Sequence, residues 1–120
     1  MPERWMTEAE IVRFTSYPTE IPEADVVTFF TLTENDRGLL SALRGDDSRL
    51  GFALQLCTLR YLGFVPADLS QSPSPAANFL ARQLQVSPDI IDVYGERPQT
   101  RTDHLQEIER HLGFHKAEVT

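Results

Sequence analysis

The sequence predicts an all-α protein, a compact bundle of about seven helices. Three observations carry this. Residues 48–63 place Leu50, Ala53, Leu54, Cys57 and Tyr61 at helical spacing, while Phe52, Leu56, Leu59 and Leu62 make the other side apolar as well. The remaining apolar stretches are short and bracketed by helix caps and by proline or glycine stops. No alternating run of β-branched residues lies between turn signals, and no unit of about 20–50 residues repeats.

Taken in order, Thr7, Glu8, Ala9 and Glu10 form a capping box that opens a short helix with Ile11, Val12 and Phe14 on its apolar side. Trp5 is placed to pack back on that first turn, and Tyr17-Pro18 ends the helix. A second helix is expected to start near Pro22 and run through Val26, Val27 and Phe30. Thr33, Glu34, Asn35 and Asp36 cap a third, with acids in the first turn where the helix dipole favours them. It carries Leu39, Leu40 and Leu43 and is expected to end at Arg44-Gly45.

Asp46, Asp47 and Ser48 then cap the central helix, which ends at Gly63. Because that helix is apolar nearly all round, the others must cover most of its circumference. Arg49, Gln55 and Arg60 interrupt it, and it is too short to cross a bilayer. Gly51 would admit a close neighbour, at about 1 kcal/mol of helix propensity relative to alanine.

Residues 64–75 carry three prolines and three serines and read as the one long loop, dividing a first helical half, 1–63, from a second half, 76–114, within a single domain, 1–120. Ser74-Pro75 opens a helix using Phe79, Leu80 and Leu84. Ser87-Pro88 opens a short one through Ile90, Ile91 and Tyr94, stopped by Gly95. Thr100 is expected to cap a last helix carrying Leu105, Ile108 and Leu112, with Gly113 closing it and Phe114 packing back.

The composition, 41% hydrophobic and 24% charged, is that of an ordinary globular protein. A single cysteine excludes an internal disulfide, and no basic-then-apolar leader opens the chain, so a cytoplasmic protein without membrane attachment is expected. Cys57 reads as a buried small hydrophobe rather than a reactive thiol. The net charge is −7, but residues 1–36 hold eight acids against Arg4 and Arg13, while residues 37–120 hold ten acids and nine bases. Ten of the eleven bases are arginine, whose planar fork suits phosphate, carboxylate or guanine. No nucleophile elbow, phosphate loop or zinc-protease helix is present. His104, His111 and His115 lack further ligands at zinc spacing, so no metal, no cofactor and no catalysis are expected.

One constellation points to binding. Arg97, Gln99, Thr100, Arg101, Thr102 and His104 stand at and before a helix start, after a short helix and a turn at Gly95. That is the layout of a helix-turn-helix, in which the second helix offers its first residues to the major groove. Two readings stand. The arginines and glutamine meet base edges while threonines and histidine hold the backbone. Otherwise this is a capped helix whose arginines bridge nearby acids, such as Asp103.

The run from Arg49 to Gly63, with Tyr94-Gly95 and Thr100 to Leu105 behind it, resembles the N-terminal domain of Tn3-family transposases. The likeness covers nearly the whole chain, from the Thr7 helix to Gly113-Phe114. The resemblance implies a helical region that recognises the terminal inverted repeats of a transposon during replicative transposition, with a magnesium-dependent acidic triad far downstream and none here. The ending at residues 116–120 reads as that of a cut fragment.

On this sequence the resemblance makes Arg97, Thr100, Arg101 and His104 the preferred contacts to double-stranded DNA, with Gln99 beside them. Arg37 and Arg44 would touch phosphate from a first helix-turn-helix-like unit formed with the central helix. Arg49 suits DNA or structure equally, whereas Arg60, among buried neighbours, suits an internal acid. Partners would be transposon-end DNA and the remaining transposase domains. The alternative is a protein-interaction module contacting those domains or a second protomer, suggested by the acidic first third, which departs from a DNA binder's charge.

Overall fold

The computed structural model describes residues 17–66 and 68–113. Among them, six α-helices and two 3-10 turns form, with no strand. α1 spans Glu23–Phe30, α2 Glu34–Ser41, α3 Asp46–Leu62, α4 Ser74–Leu84, α5 Ile91–Gly95 and α6 Pro98–Leu112, and the 3-10 turns are Leu69–Gln71 and Pro88–Ile90. The helix expected at Thr7, the packing of Trp5 and the contact of Phe114 lie outside the described residues. The other six predicted helices are present.

α3 is the axis. Every residue from Leu50 to Leu59 is buried, because α1, α2, α4, α5 and α6 all pack on this helix. Each fully buried leucine or phenylalanine contributes about 1.5–3 kcal/mol, so the run that is apolar on every side supplies the largest share of the core. Gly63 ends α3 in the left-handed conformation, φ 86°, as its position after Leu62 predicts. Cys57 is fully buried, and burial pushes its thiol up to about 12, so it stays protonated and serves as core.

Polar side chains tie the outer helices to this axis. Asp36 completes a capping box with Thr33 at the start of α2. Its carboxylate also receives both ends of Arg60, Nη2 to Oδ1 at 2.8 Å and Nη1 to Oδ2 at 3.2 Å. Arg60 is thus the structural partner of an acid, as its buried neighbours suggest. Gln83 of α4 closes the end of α1: its Oε1 accepts the Leu32 N–H at 2.9 Å, and its Nε2 donates to the Phe30 carbonyl at 2.8 Å.

Three boundaries differ from expectation. α2 stops at Ser41, and Gly45 precedes α3 as its N-cap with φ 85° instead of closing α2. α3 therefore starts at Asp46, so Asp46, Asp47 and Ser48, expected as its cap, form its first turn. α6 starts at Pro98, with Arg97 as N-cap, so Thr100 lies inside the helix and does not cap it. A proline in the first helical position needs no N–H there, which makes Pro98 a better start than Thr100. No described helix is long and apolar enough to cross a membrane.

Candidate nucleic-acid interface

α5 ends at Gly95, and Glu96-Arg97 turn the chain directly into α6. Two things fix α6 in place. One is a polar group inside the core. Gln55 Nε2 donates to the Tyr94 hydroxyl at 2.7 Å and to the Arg101 carbonyl at 3.1 Å. The Tyr94 hydroxyl also forms a hydrogen bond with His104 Nδ1, 2.8 Å away, whose direction depends on the histidine tautomer. Burial pushes the Tyr94 hydroxyl up to about 12, so it keeps its proton. With Tyr94 as donor, His104 is neutral and carries its own proton on Nε2. Its ring stacks near Tyr94 at 18° between planes and meets Phe52 edge-on at 5.2 Å between centroids.

Burial lowers the His104 pKa; Glu107, Asp103 and Asp47 oppose that lowering and Arg97 adds to it. A histidine held below its ordinary value leaves stability intact above about pH 6.5 and removes it as pH falls toward the folded value, because only the unfolded chain then takes the proton. The thermal midpoint is expected to drop between pH 7.5 and 5.5. His104→Asn should flatten that dependence.

The second fastening lies at the surface, where α3 and α6 begin side by side. Arg97, N-cap of α6, donates through Nη1 to Asp47 Oδ2 in the first turn of α3, at 2.5 Å. Arg49 donates through Nη1 to Asp46 Oδ1 at 2.8 Å. Arg44 stands just ahead of them, exposed and without an ion pair among the described residues. At this end Arg44, Arg49 and Arg97 are accompanied by Asp46, Asp47, Glu96 and Asp103, so the side-chain charges are nearly balanced, and the first turns of two long helices add the positive ends of their dipoles.

The sequence-predicted contacts therefore separate into two groups. Arg97 and Arg49 pair with the neighbouring carboxylates Asp47 and Asp46 at the start of α3; Arg44 precedes them in the chain and is exposed; and Gln99, in the first turn of α6, is exposed, its Nε2 donating to Asp103 Oδ1 at 2.9 Å. Arg37 is exposed on α2, and Thr100 is half-buried in the first turn of α6. Two expected contacts face inward. His104 is only 9% exposed and hydrogen-bonded to Tyr94. Arg101 turns inward: its Nη2 donates to the Pro66 carbonyl at 2.7 Å, and its Nε is buried without a partner. It anchors the loop before α4 to α6 and does not bridge Asp103.

The outward face of α6 is Gln99, Thr102, Asp103, Gln106, Glu107 and Arg110. Thr102 was already in the expected constellation; Gln106 and Arg110 were missed, though a helical wheel turns them away from Leu105, Ile108 and Leu112. Among the described residues no three histidine, cysteine or carboxylate side chains gather as a metal site would require.

The described residues thus form an all-α domain with a polar, arginine-bearing end. The chain belongs to the family described as Domain of unknown function (DUF4158), which it matches over residues 5–119. Its relatives are transposases of the Tn3 family, and it corresponds to their N-terminal region. The transposase for transposon Tn501 of Pseudomonas aeruginosa is 40% identical over 94 residues, 77% of this chain. That for transposon Tn1546 of Enterococcus faecium is 35% identical over 97 residues, 79% of this chain. That for transposon gamma-delta of Escherichia coli (strain K12) is 32% identical over 117 residues, 97% of this chain. The chain spans 10%, 10% and 12% of these three relatives' own lengths, so each match concerns about a tenth of a much larger protein.

Proposed function

We propose that this chain is the DNA-recognition region of a bacterial transposase, engaging the terminal inverted repeats of its transposon and contributing no catalytic chemistry itself. The observation that carries the reading is the joined start of α3 and α6, where Arg97 pairs with Asp47 and Arg49 with Asp46, with exposed Arg44 just before α3 and exposed Gln99 in the first turn of α6. In this reading α2–α3 and α5–α6 act as helix-turn-helix-like units of one domain, in the halves 1–63 and 76–114. The arginines, with Arg37, hold phosphates, and the outward residues of α6, Gln99 and Gln106 foremost, meet base edges. Arg101 and His104 support this surface from behind. The remaining transposase domains are the protein partners, in the cytoplasm.

A second reading, a protein-interaction module, draws on the charge: the chain carries −7 overall, and Asp103 and Glu107 share the outward face of α6. Titrating the chain with a duplex carrying a Tn501 end and with a scrambled duplex, at several salt concentrations, separates the two. DNA recognition requires log affinity to fall linearly with log salt, and the end sequence to bind above that background. Arg44→Ala should reduce the salt slope by about one. No binding at low salt, with dimers forming as concentration rises, supports the interaction module instead.

A further inference from the structure

The three arginine–carboxylate pairs among the described residues are not alike. Arg60 commits both terminal nitrogens to Asp36, whose side chain is 2% exposed, so its two-pronged edge faces an internal carboxylate. Arg97 uses Nη1 alone on Asp47, and no hydrogen bond from its Nη2 or Nε is formed within the described residues. The Arg97 side chain is 45% exposed while that of Asp47 is 13% exposed, so the carboxylate is the fixed member and the guanidinium the outward one. The backbone is shaped around that carboxylate: Gly45, at φ 85°, precedes it, and a Cβ there would stand 3.0 Å from Asp47 Oδ1.

We infer that Asp47 is a positioning residue for DNA binding: it pins Arg97 by one nitrogen and leaves the other edge of the guanidinium aimed at a backbone phosphate. This rests on the DNA reading above. An acid beside a DNA-contacting arginine has two opposed effects, and distance decides between them. A phosphate received on the open edge stands about 4 Å from the guanidinium and about 8 Å from the carboxylate, so attraction outweighs repulsion about twofold, and salt screens the longer interaction more. Pinning also means that the arginine's rotamer freedom is surrendered on folding and not on binding. The guanidinium edge, with two parallel N–H donors, matches the phosphate fork.

The test is a double-mutant cycle of Arg97→Ala and Asp47→Asn, read as affinity for the Tn501-end and scrambled duplexes across salt, with helicity and thermal midpoint checking that each variant folds. Arg97→Ala is expected to weaken binding about tenfold on both duplexes and to lower the salt slope by about one. Asp47→Asn, which adds no negative charge and keeps the side chain's shape, is expected to weaken binding about threefold to tenfold. The double variant should be no weaker than Arg97→Ala alone. Tighter or unchanged binding by Asp47→Asn, or full additivity of the two losses, overturns the positioning role while leaving DNA recognition standing. Absence of binding by the unsubstituted chain at low salt overturns the DNA reading and this inference with it.

Discussion

Replacing Gly51 by alanine is expected to destabilise the protein by about 1–3 kcal/mol, although alanine is the better helix former by about 1 kcal/mol. The reason is the ring of Tyr94. A Cβ built on Gly51 meets three ring carbons of Tyr94 at 2.3–2.4 Å, well inside van der Waals contact. The ring cannot simply turn away. Tyr94 is fully buried, its hydroxyl is held by Gln55 and His104, and its backbone lies in the last turn of α5, just before the chain turns into α6. Relief therefore requires α5 to move off α3, which would loosen the packing of α6 as well. Urea unfolding of Gly51→Ala checks the size of the effect. In the double variant Gly51→Ala/Tyr94→Ala the clash disappears, so the two losses should fall short of adding.

The second large effect is expected at Asp36. Removing its carboxylate as Asp36→Ala deprives Arg60 of a two-pronged partner and α2 of its capping box at once. Breaking a buried pair by deleting one member costs about 3–5 kcal/mol, and losing a cap about 1 kcal/mol. Arg60 keeps some access to water, with a side chain 27% exposed, which places the expected total near the low end, about 3 kcal/mol. The exposed pair of Arg49 and Asp46 offers the contrast: Asp46→Ala should change stability by less than about 0.5 kcal/mol. Thermal or denaturant unfolding of the two variants measures the difference. Burial by itself raises the Asp36 pKa, but the hydrogen bonds from Arg60 and Thr33 and the Arg60 charge outweigh it and hold the carboxyl below its ordinary value. Its contribution is accordingly complete at neutral pH and is lost only as pH falls through that lowered value.

The helices were legible because their signals are local. The greasy run of α3, the Thr33 box, the prolines at 22 and 88 and the glycines at 63 and 113 each act within a turn or two. The boundary errors arose where two local signals competed: Gly45 suits a helix end as well as a helix entry, and Pro98 outcompetes Thr100 as a start. The interface was less legible, because its residues are sorted by distant partners. Arg97 and Asp47 are fifty positions apart, and Arg101 meets the carbonyl of Pro66.

One signal was nevertheless available. Leu105, Ile108 and Leu112 define the inner face of α6, and Arg101 and His104 fall on that same face by helical spacing. Residue chemistry suggested DNA contact for both, whereas position on the wheel already turned them inward. Tyr94 explains how a histidine is accommodated there, since its hydroxyl accepts from Gln55 Nε2 and meets His104 Nδ1, whereas Gln55 Oε1 is buried without a partner among the described residues.

Whether the start of α3 and α6 meets a duplex is tested most directly by following backbone amide resonances while adding the Tn501-end duplex. The largest shifts should fall on Arg44, Arg49, Arg97 and Gln99 and continue along Thr102 and Gln106, with α1 unaffected. Shifts confined to α1 and α4, or none at low salt, would contradict the assignment of this end of the molecule to DNA.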